Sequence, residues 1–139
     1  MKRSEIVDAA RSYLGVPFVH EGRSRGGLDC AGLLCRVFTD LVLPYEDKLG
    51  YDRSPVGQDF FQHLLKHMKP NLTNTLPIGS VGLIRQSRYP CHIGIFSEIY
   101  GRKHFIQAHE QRNAVVEEDW LPHPRFGLIM VLDIPGVTE

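Results

Sequence analysis

The sequence predicts an α+β fold, with helices in the first half of the chain and an antiparallel sheet in the second. Two patterns predict it. Up to about residue 68 apolar residues recur at three- and four-residue spacing, whereas from Val81 onward they fall in short runs separated by turn residues. A third observation locates the chemistry: Leu28-Asp29-Cys30-Ala31-Gly32 puts a thiol where a helix should begin.

Ser4 is the expected cap of a first helix that buries Ile6, Val7, Ala10, Tyr13 and Leu14 and is ended by Gly15 and Pro17. Residues 18–27 form a Gly- and Arg-rich approach to the cysteine. Leu33, Leu34, Val37, Phe38 and Leu41 then keep helical spacing, so a second helix runs from Cys30 to about Leu41 and stops before Pro44. A polar loop leads through Tyr51-Asp52-Arg53. Ser54-Pro55 opens a further helix by capping and a first-turn proline, with Phe60, Phe61, Leu64, Leu65 and Met68 as its apolar face. Strands are expected at Val81–Arg85, His92–Ser97, Lys103–His109, Ala114–Glu117 and Leu128–Ile134.

At 139 residues the chain reads as one domain, 1–139, able to bury a single core without staples. Lys and Arg together number 16, as do Asp and Glu. That balance gives no electrostatic case for nucleic acid or an anionic membrane. No apolar run approaches the ~20 residues of a membrane span. Three cysteines, an odd number, argue against a disulfide framework. Cys30 and Cys35 lack paired metal-ligand spacing, and neither a metal nor a cofactor is expected. Cys35, close to the apolar stripe of its helix, is expected to be buried. The basic Met1-Lys2-Arg3 precedes Ser-Glu-Ile-Val-Asp, which is no apolar signal segment, so synthesis in the cytoplasm is the expectation.

A cysteine at a helix start meets unpaired N–H groups and the positive end of the helix dipole. Both favour thiolate and can receive an oxyanion. There it should make few core contacts. Its base is sought in Cys91-His92-Ile93-Gly94-Ile95-Phe96, a short strand with a histidine near its start. Cys on a helix and His on a later strand suggest a papain-like arrangement, the nucleophile helix packed on the C-terminal antiparallel sheet. Gly94 is expected to leave space beside the imidazole, and Cys91 to face the other way into the core. Gln107 and His109, two apart on the next strand, share a face and are the candidates to orient His92 through Nδ1–H. Asp29 suits a helix N-cap. Arg23 and Arg25 are either solvated or available to substrate carboxylates, and His20 is placed to border a cleft. Trp120, after Glu117-Glu118-Asp119, reads as a core anchor or lid.

These blocks resemble the NlpC-type cell-wall cysteine peptidases. The resemblance rests on Tyr13-Leu14-Gly15-Val16-Pro17-Phe18, Gly26-Gly27-Leu28-Asp29-Cys30-Ala31-Gly32-Leu33, Gly79-Ser80-Val81-Gly82-Leu83, His92-Ile93-Gly94-Ile95-Phe96 and Phe105-Ile106-Gln107-Ala108, in that order. Phe18 stands where the family usually has tyrosine, Ser80 where it has aspartate, and Gln107 where it has histidine or asparagine. The block Pro17-Phe18-Val19-His20 and the helix after the cysteine helix look most like the phage-encoded branch, gene transfer agents included.

The resemblance implies a cysteine endopeptidase acting on peptidoglycan stem peptides. Cys30, His92 and Gln107 (or His109) form its triad, and Asp29 receives a substrate amino group. Phe18, His20, Arg23 and Arg25 line the approach. Phage tail proteins are the implied partners, and the site of action is a virion or tail particle, or the wall after lysis. Two rivals stand beside it: a papain-like amidase or acyltransferase on a non-wall substrate, and a non-enzymatic tail-assembly module that kept the fold.

Overall fold

Helix α1 (Arg3–Arg11) buries Ile6, Val7 and Ala10, the inward stripe that its spacing predicts. Its start departs from expectation. Ser4 lies inside the helix, and the Glu5 carboxylate accepts the Lys2 backbone N–H at 2.6 Å, so the cap is made from within the first turn. The helix also ends early. Beyond Arg11 the chain leaves the 3.6-residue period, so Tyr13 stays buried while Leu14 is exposed, against the expected burial of both.

This computed structural model describes residues 1–50, 58–73, 75–86, 89–121 and 126–138, the side chains at 58–61, 86, 89–91 and 126 excepted. The Tyr51-Asp52-Arg53 loop, the Ser54-Pro55 cap, the side chains of Phe60, Phe61 and Cys91, and His123 lie outside the described residues.

The approach to the cysteine carries a small antiparallel ladder that sequence reading missed, β1 (Arg23–Ser24) with β2 (Gly27–Leu28). Helix α2 (Cys30–Asp40) follows, and α3 (Gln58–His67) after the intervening loop. The short β3 (Lys69–Pro70) is a second missed element. Its proline is tolerated because it pairs on one side only, at the sheet edge. Strands β4 (Val81–Gln86), β5 (Tyr89–Ile99), β6 (Arg102–His109), β7 (Ala114–Asp119) and β8 (Phe126–Asp133) match the expected five, each extended at one or both ends, except that β8 stops one residue before Ile134. Among the described residues they form an antiparallel sheet in the order β3-β8-β4-β5-β6-β7.

One face of the sheet receives the helices. Val81, Leu83, Ile93, Ile95, Ile106, Ala108, Val115 and Leu132 join Ile6, Val7 and Ala10 of α1, Leu33, Leu34, Val37 and Phe38 of α2, and Leu64 of α3 in one core. A separate apolar layer is built from Ile84, Phe96, Phe105 and Val131, with Leu76 and Trp120 against it. Trp120 is its anchor, 4.9 Å from the Phe96 ring and 5.1 Å from that of Phe105. A Cβ at Gly94 would collide with the Phe105 ring, so the space this glycine leaves is filled by Phe105 and not kept open beside His92 as expected.

Polar contacts fix α1 on the sheet. Arg11 Nε donates to both Glu117 oxygens at 3.2 and 3.1 Å, and Ser97 Oγ donates to the same carboxylate at 2.6 Å. Burial pushes the Glu117 carboxyl up, but the hydrogen bonds from Arg11 and Ser97 outweigh it and hold it below the usual range.

Candidate active site

Asp29 starts α2 as its sequence suggests. Its backbone is extended, and its carboxylate accepts the Gly32 N–H at 2.8 Å. The same buried carboxylate accepts the Glu21 N–H at 2.8 Å and Arg23 Nη1 at 3.0 Å. One side chain therefore both caps the nucleophile helix and ties the approach loop to it. Arg23 is not solvated: its Nε donates to Asp47 at 3.0 Å and its Nη2 to the Lys48 carbonyl at 3.3 Å. Arg25 donates to the Ser12 carbonyl at 2.8 Å and lies over the Tyr13 ring, 4.4 Å from its centre. Both arginines thus tie the approach loop to its neighbours, Arg23 to Asp29 and to the segment at Asp47 and Lys48, and Arg25 to the end of α1.

Gly32 makes this packing possible, and sequence reading did not single it out for that. A Cβ at Gly32 would collide with the carbonyl oxygen of Gly22, so helix and loop approach backbone to backbone. The available signal was a glycine in the first turn of a helix, where its low propensity needs another reason. Asp47 had no such signal, since its loop has no periodicity.

Cys30 is the first residue of α2, and it is buried in the core rather than making few contacts there. With Leu33 and Leu34 it encloses a narrow apolar gap against Val81, Ile93, Gly94 and Ile95. The thiol thus lies over the segment of β5 that directly follows His92. Cys35 is half-buried instead of buried. It sits at the edge of the helix stripe, near Asp47 and Arg23, and burial pushes its thiol up.

The imidazole of His92 is buried and bonded to Gln107, with Nε2 and Oε1 2.7 Å apart. An amide oxygen only accepts, so Nε2 carries the proton and Nδ1 the lone pair. Sequence reasoning had these nitrogens the other way round. Burial pushes the His92 pKa down, the Gln107 bond opposes this, and nearby His109 adds to the lowering, leaving it at about 4. The ring is neutral at pH 7. His109 does not make the bond to His92 that Gln107 makes; its Nδ1 accepts the Arg112 backbone N–H at 3.2 Å.

Phe18 packs against the core, its N–H donating to the Asn113 carbonyl at 3.1 Å. His20 Nε2 is 3.5 Å from a Glu21 carboxylate oxygen. Among the described residues no group of three or more His, Cys, Asp or Glu is placed to hold a metal ion. No helix among them is long and apolar enough to cross a membrane.

No family model and no curated protein sequence matches this chain. Solved structures do. A Staphylococcus aureus protein described as similar to lipoprotein, NLP/P60 family, superposes with a TM-score of 0.67 at 18% identity over 99% of this chain. The chain spans 42% of that protein's length. Two structures of an N-acetylmuramoyl-L-alanine amidase from Bacteroides uniformis give TM-scores of 0.70 and 0.66 at 12% and 13% identity. Each covers 95% of this chain and 98% of theirs. At such identities the likeness establishes the fold, an α+β fold of the NlpC/P60, papain-like type.

Proposed function

We propose that this chain is a cysteine peptidase that hydrolyses peptide bonds in bacterial wall stem peptides. The observation that carries this reading is the Nε2–Gln107 bond, because it leaves Nδ1 of a neutral imidazole as the base. The bond between imidazole and amide is observed; the meeting of thiol and imidazole is the proposed element.

In the proposed reaction Nδ1 takes the Cys30 proton as sulfur attacks the scissile carbonyl. The backbone N–H of Cys30 receives the oxyanion. The imidazolium returns its proton to the leaving amine; water, deprotonated by Nδ1, then attacks the thioester, and the C–S bond breaks as the Cys30 sulfur takes that proton back. Gln107 holds the ring through Nε2–H throughout. Asp29 shapes the site through the loop it ties down and is the candidate contact for a substrate amino group; Phe18 and His20 lie in the same approach. Likeness to an NLP/P60-family structure and to muramoyl-alanine amidases supports a wall substrate. The family resemblance points to a bond beside γ-D-glutamate, to phage tail proteins as partners, and to action from a particle or after lysis. The amidase structures, matched over nearly their whole length, favour a second reading, cleavage of the muramoyl–alanine amide by the same residues.

Mass spectrometry of wall fragments after incubation tests both. New amino termini within stem peptides support the peptidase, and lactyl-containing glycans freed of peptide support the amidase. Cys30→Ala should abolish either product. Because Cys30 is buried, that variant should also lose about 1 kcal/mol of stability. Unchanged fragments with the wild-type protein, or full activity in Cys30→Ala, would sink the thiol mechanism.

A further inference from the structure

We infer that Glu118 is a positioning residue for the proposed site: it keeps the Gln107 amide turned with its oxygen toward His92, and Arg112 keeps Glu118 in place. The catalytic consequence rests on the peptidase reading; the geometry does not.

A glutamine amide has nearly the same shape after a half-turn, so its partners decide its orientation. Here the two orientations are chemically opposed. With oxygen toward the ring, Nε2 is protonated and Nδ1 is a base. With nitrogen toward the ring, Nε2 must accept, the proton moves to Nδ1, and the ring offers the thiol a donor instead of a base. On its far side the amide nitrogen donates to Glu118 Oε1 at 3.5 Å. The contact is long, yet a carboxylate only accepts, and a reversed amide would set its carbonyl against a negative charge. Glu118 is held by its other oxygen, Arg112 Nη2 lying 3.0 Å from Oε2.

Backbone pairing fixes this arrangement. Phe105 pairs with Glu118 and Gln107 with Val116, so Gln107 and Glu118 are diagonal neighbours on one face of the β6–β7 ladder. Glu117 turns the other way, to Arg11. Arg112 belongs to the β6–β7 connection, which its own N–H braces against His109. The result is a chain of directed contacts, imidazole to amide to carboxylate to guanidinium, in which the peptidase reading gives only the first member a role in the reaction.

The test reads the His92 tautomer by ¹⁵N NMR on histidine-labelled protein, with His92→Asn assigning the signals. The wild-type ring should be protonated at Nε2. Glu118→Leu should add a clear Nδ1–H population and lower kcat about tenfold with KM unchanged. Glu118→Thr, which favours strand but is too short to reach the amide, gives the same reading if the leucine variant does not fold. Glu118→Gln, which keeps an acceptor oxygen, should restore much of both. With Gln107→Glu the ring meets a carboxylate in either orientation, so adding Glu118→Leu should no longer harm the tautomer. A ring that stays protonated at Nε2 in folded Glu118→Leu or Glu118→Thr overturns the inference. The tautomer needs no substrate, so the two readings fail separately. A Glu118-dependent ring in a protein inert on wall peptides keeps the positioning and removes the peptidase. An active enzyme whose ring ignores Glu118 does the reverse.

Discussion

The two halves of the candidate site are built differently. Around Cys30 the tightest junction is backbone on backbone, Gly22 against Gly32, with the N–H groups of Glu21 and Gly32 and the Arg23 guanidinium gathered on one fixed carboxylate, Asp29. Around His92 it is held by side chains, the ring on Gln107 and the amide on Glu118. A backbone junction cannot give way when atoms are added, because neither partner has a rotamer to change. A side-chain chain tolerates substitution as a structure but changes its proton arrangement with each partner. The thiol side should therefore fail by unfolding, and the imidazole side by losing its chemistry.

The sharpest way to break this contrast is Gly32→Ala. Helix propensity alone would make alanine the better residue by about 1 kcal/mol. The close approach to Gly22 predicts the opposite, a loss of about 3 kcal/mol or more through overpacking, and a Tm lower by about 10 °C. Thermal denaturation decides the sign. A stabilised Gly32→Ala would mean that the loop yields, and the thiol side would not be the rigid one.

Much of this was legible in the sequence because it is local. Asp29 and the residues behind Cys30 announce a capped helix within one turn, and Gln107 and His109 declare a shared face by their spacing. What crossed between elements was not legible. The use of Gly94 depends on Phe105, one strand away, and the cap of α1 depends on Glu5 reaching back in place of Ser4. The engagement of Arg23 needs Asp47, from a loop without periodicity. Which imidazole nitrogen meets Gln107 is set by side-chain rotation, which alternation along a strand does not report.

An intermediate effect comes from acid. The His92 pKa lies at about 4 in the folded protein against an ordinary 6.5, so between these values the unfolded chain binds a proton that the folded chain refuses. Stability should be flat above pH 6.5 and fall as pH drops toward 4, by up to about 3 kcal/mol. Buried His63, whose pKa is also lowered by burial, adds in the same direction. Glu117, held below its usual range, loses its contribution as pH falls through its own folded pKa. Urea midpoints measured from pH 7 to pH 4.5 give the slope, and His92→Asn should flatten it. An equally steep slope in that variant would place the acid sensitivity elsewhere than in the imidazole.

The smallest change in stability, and the most telling for the contrast, is expected at Gln107. Gln107→Ala leaves one buried ring nitrogen without its partner, a cost of about 1 kcal/mol. Its turnover should nevertheless fall by one to a few orders of magnitude with KM nearly unchanged, since ring orientation matters mainly in the transition state. His109→Ala removes only an acceptor for the Arg112 N–H and a neighbour that disfavours charge on His92. It should therefore keep most of the turnover and shift the His92 pKa slightly upward. Because an orienting amide does not titrate, Gln107 adds no limb of its own to the pH–rate profile. Both variants, assayed on one wall-peptide substrate beside a thermal melt, separate orientation from folding. Loss of turnover in His109→Ala alone would transfer the orienting role to His109. Collapse of stability in Gln107→Ala would show that the imidazole side is as structurally rigid as the thiol side.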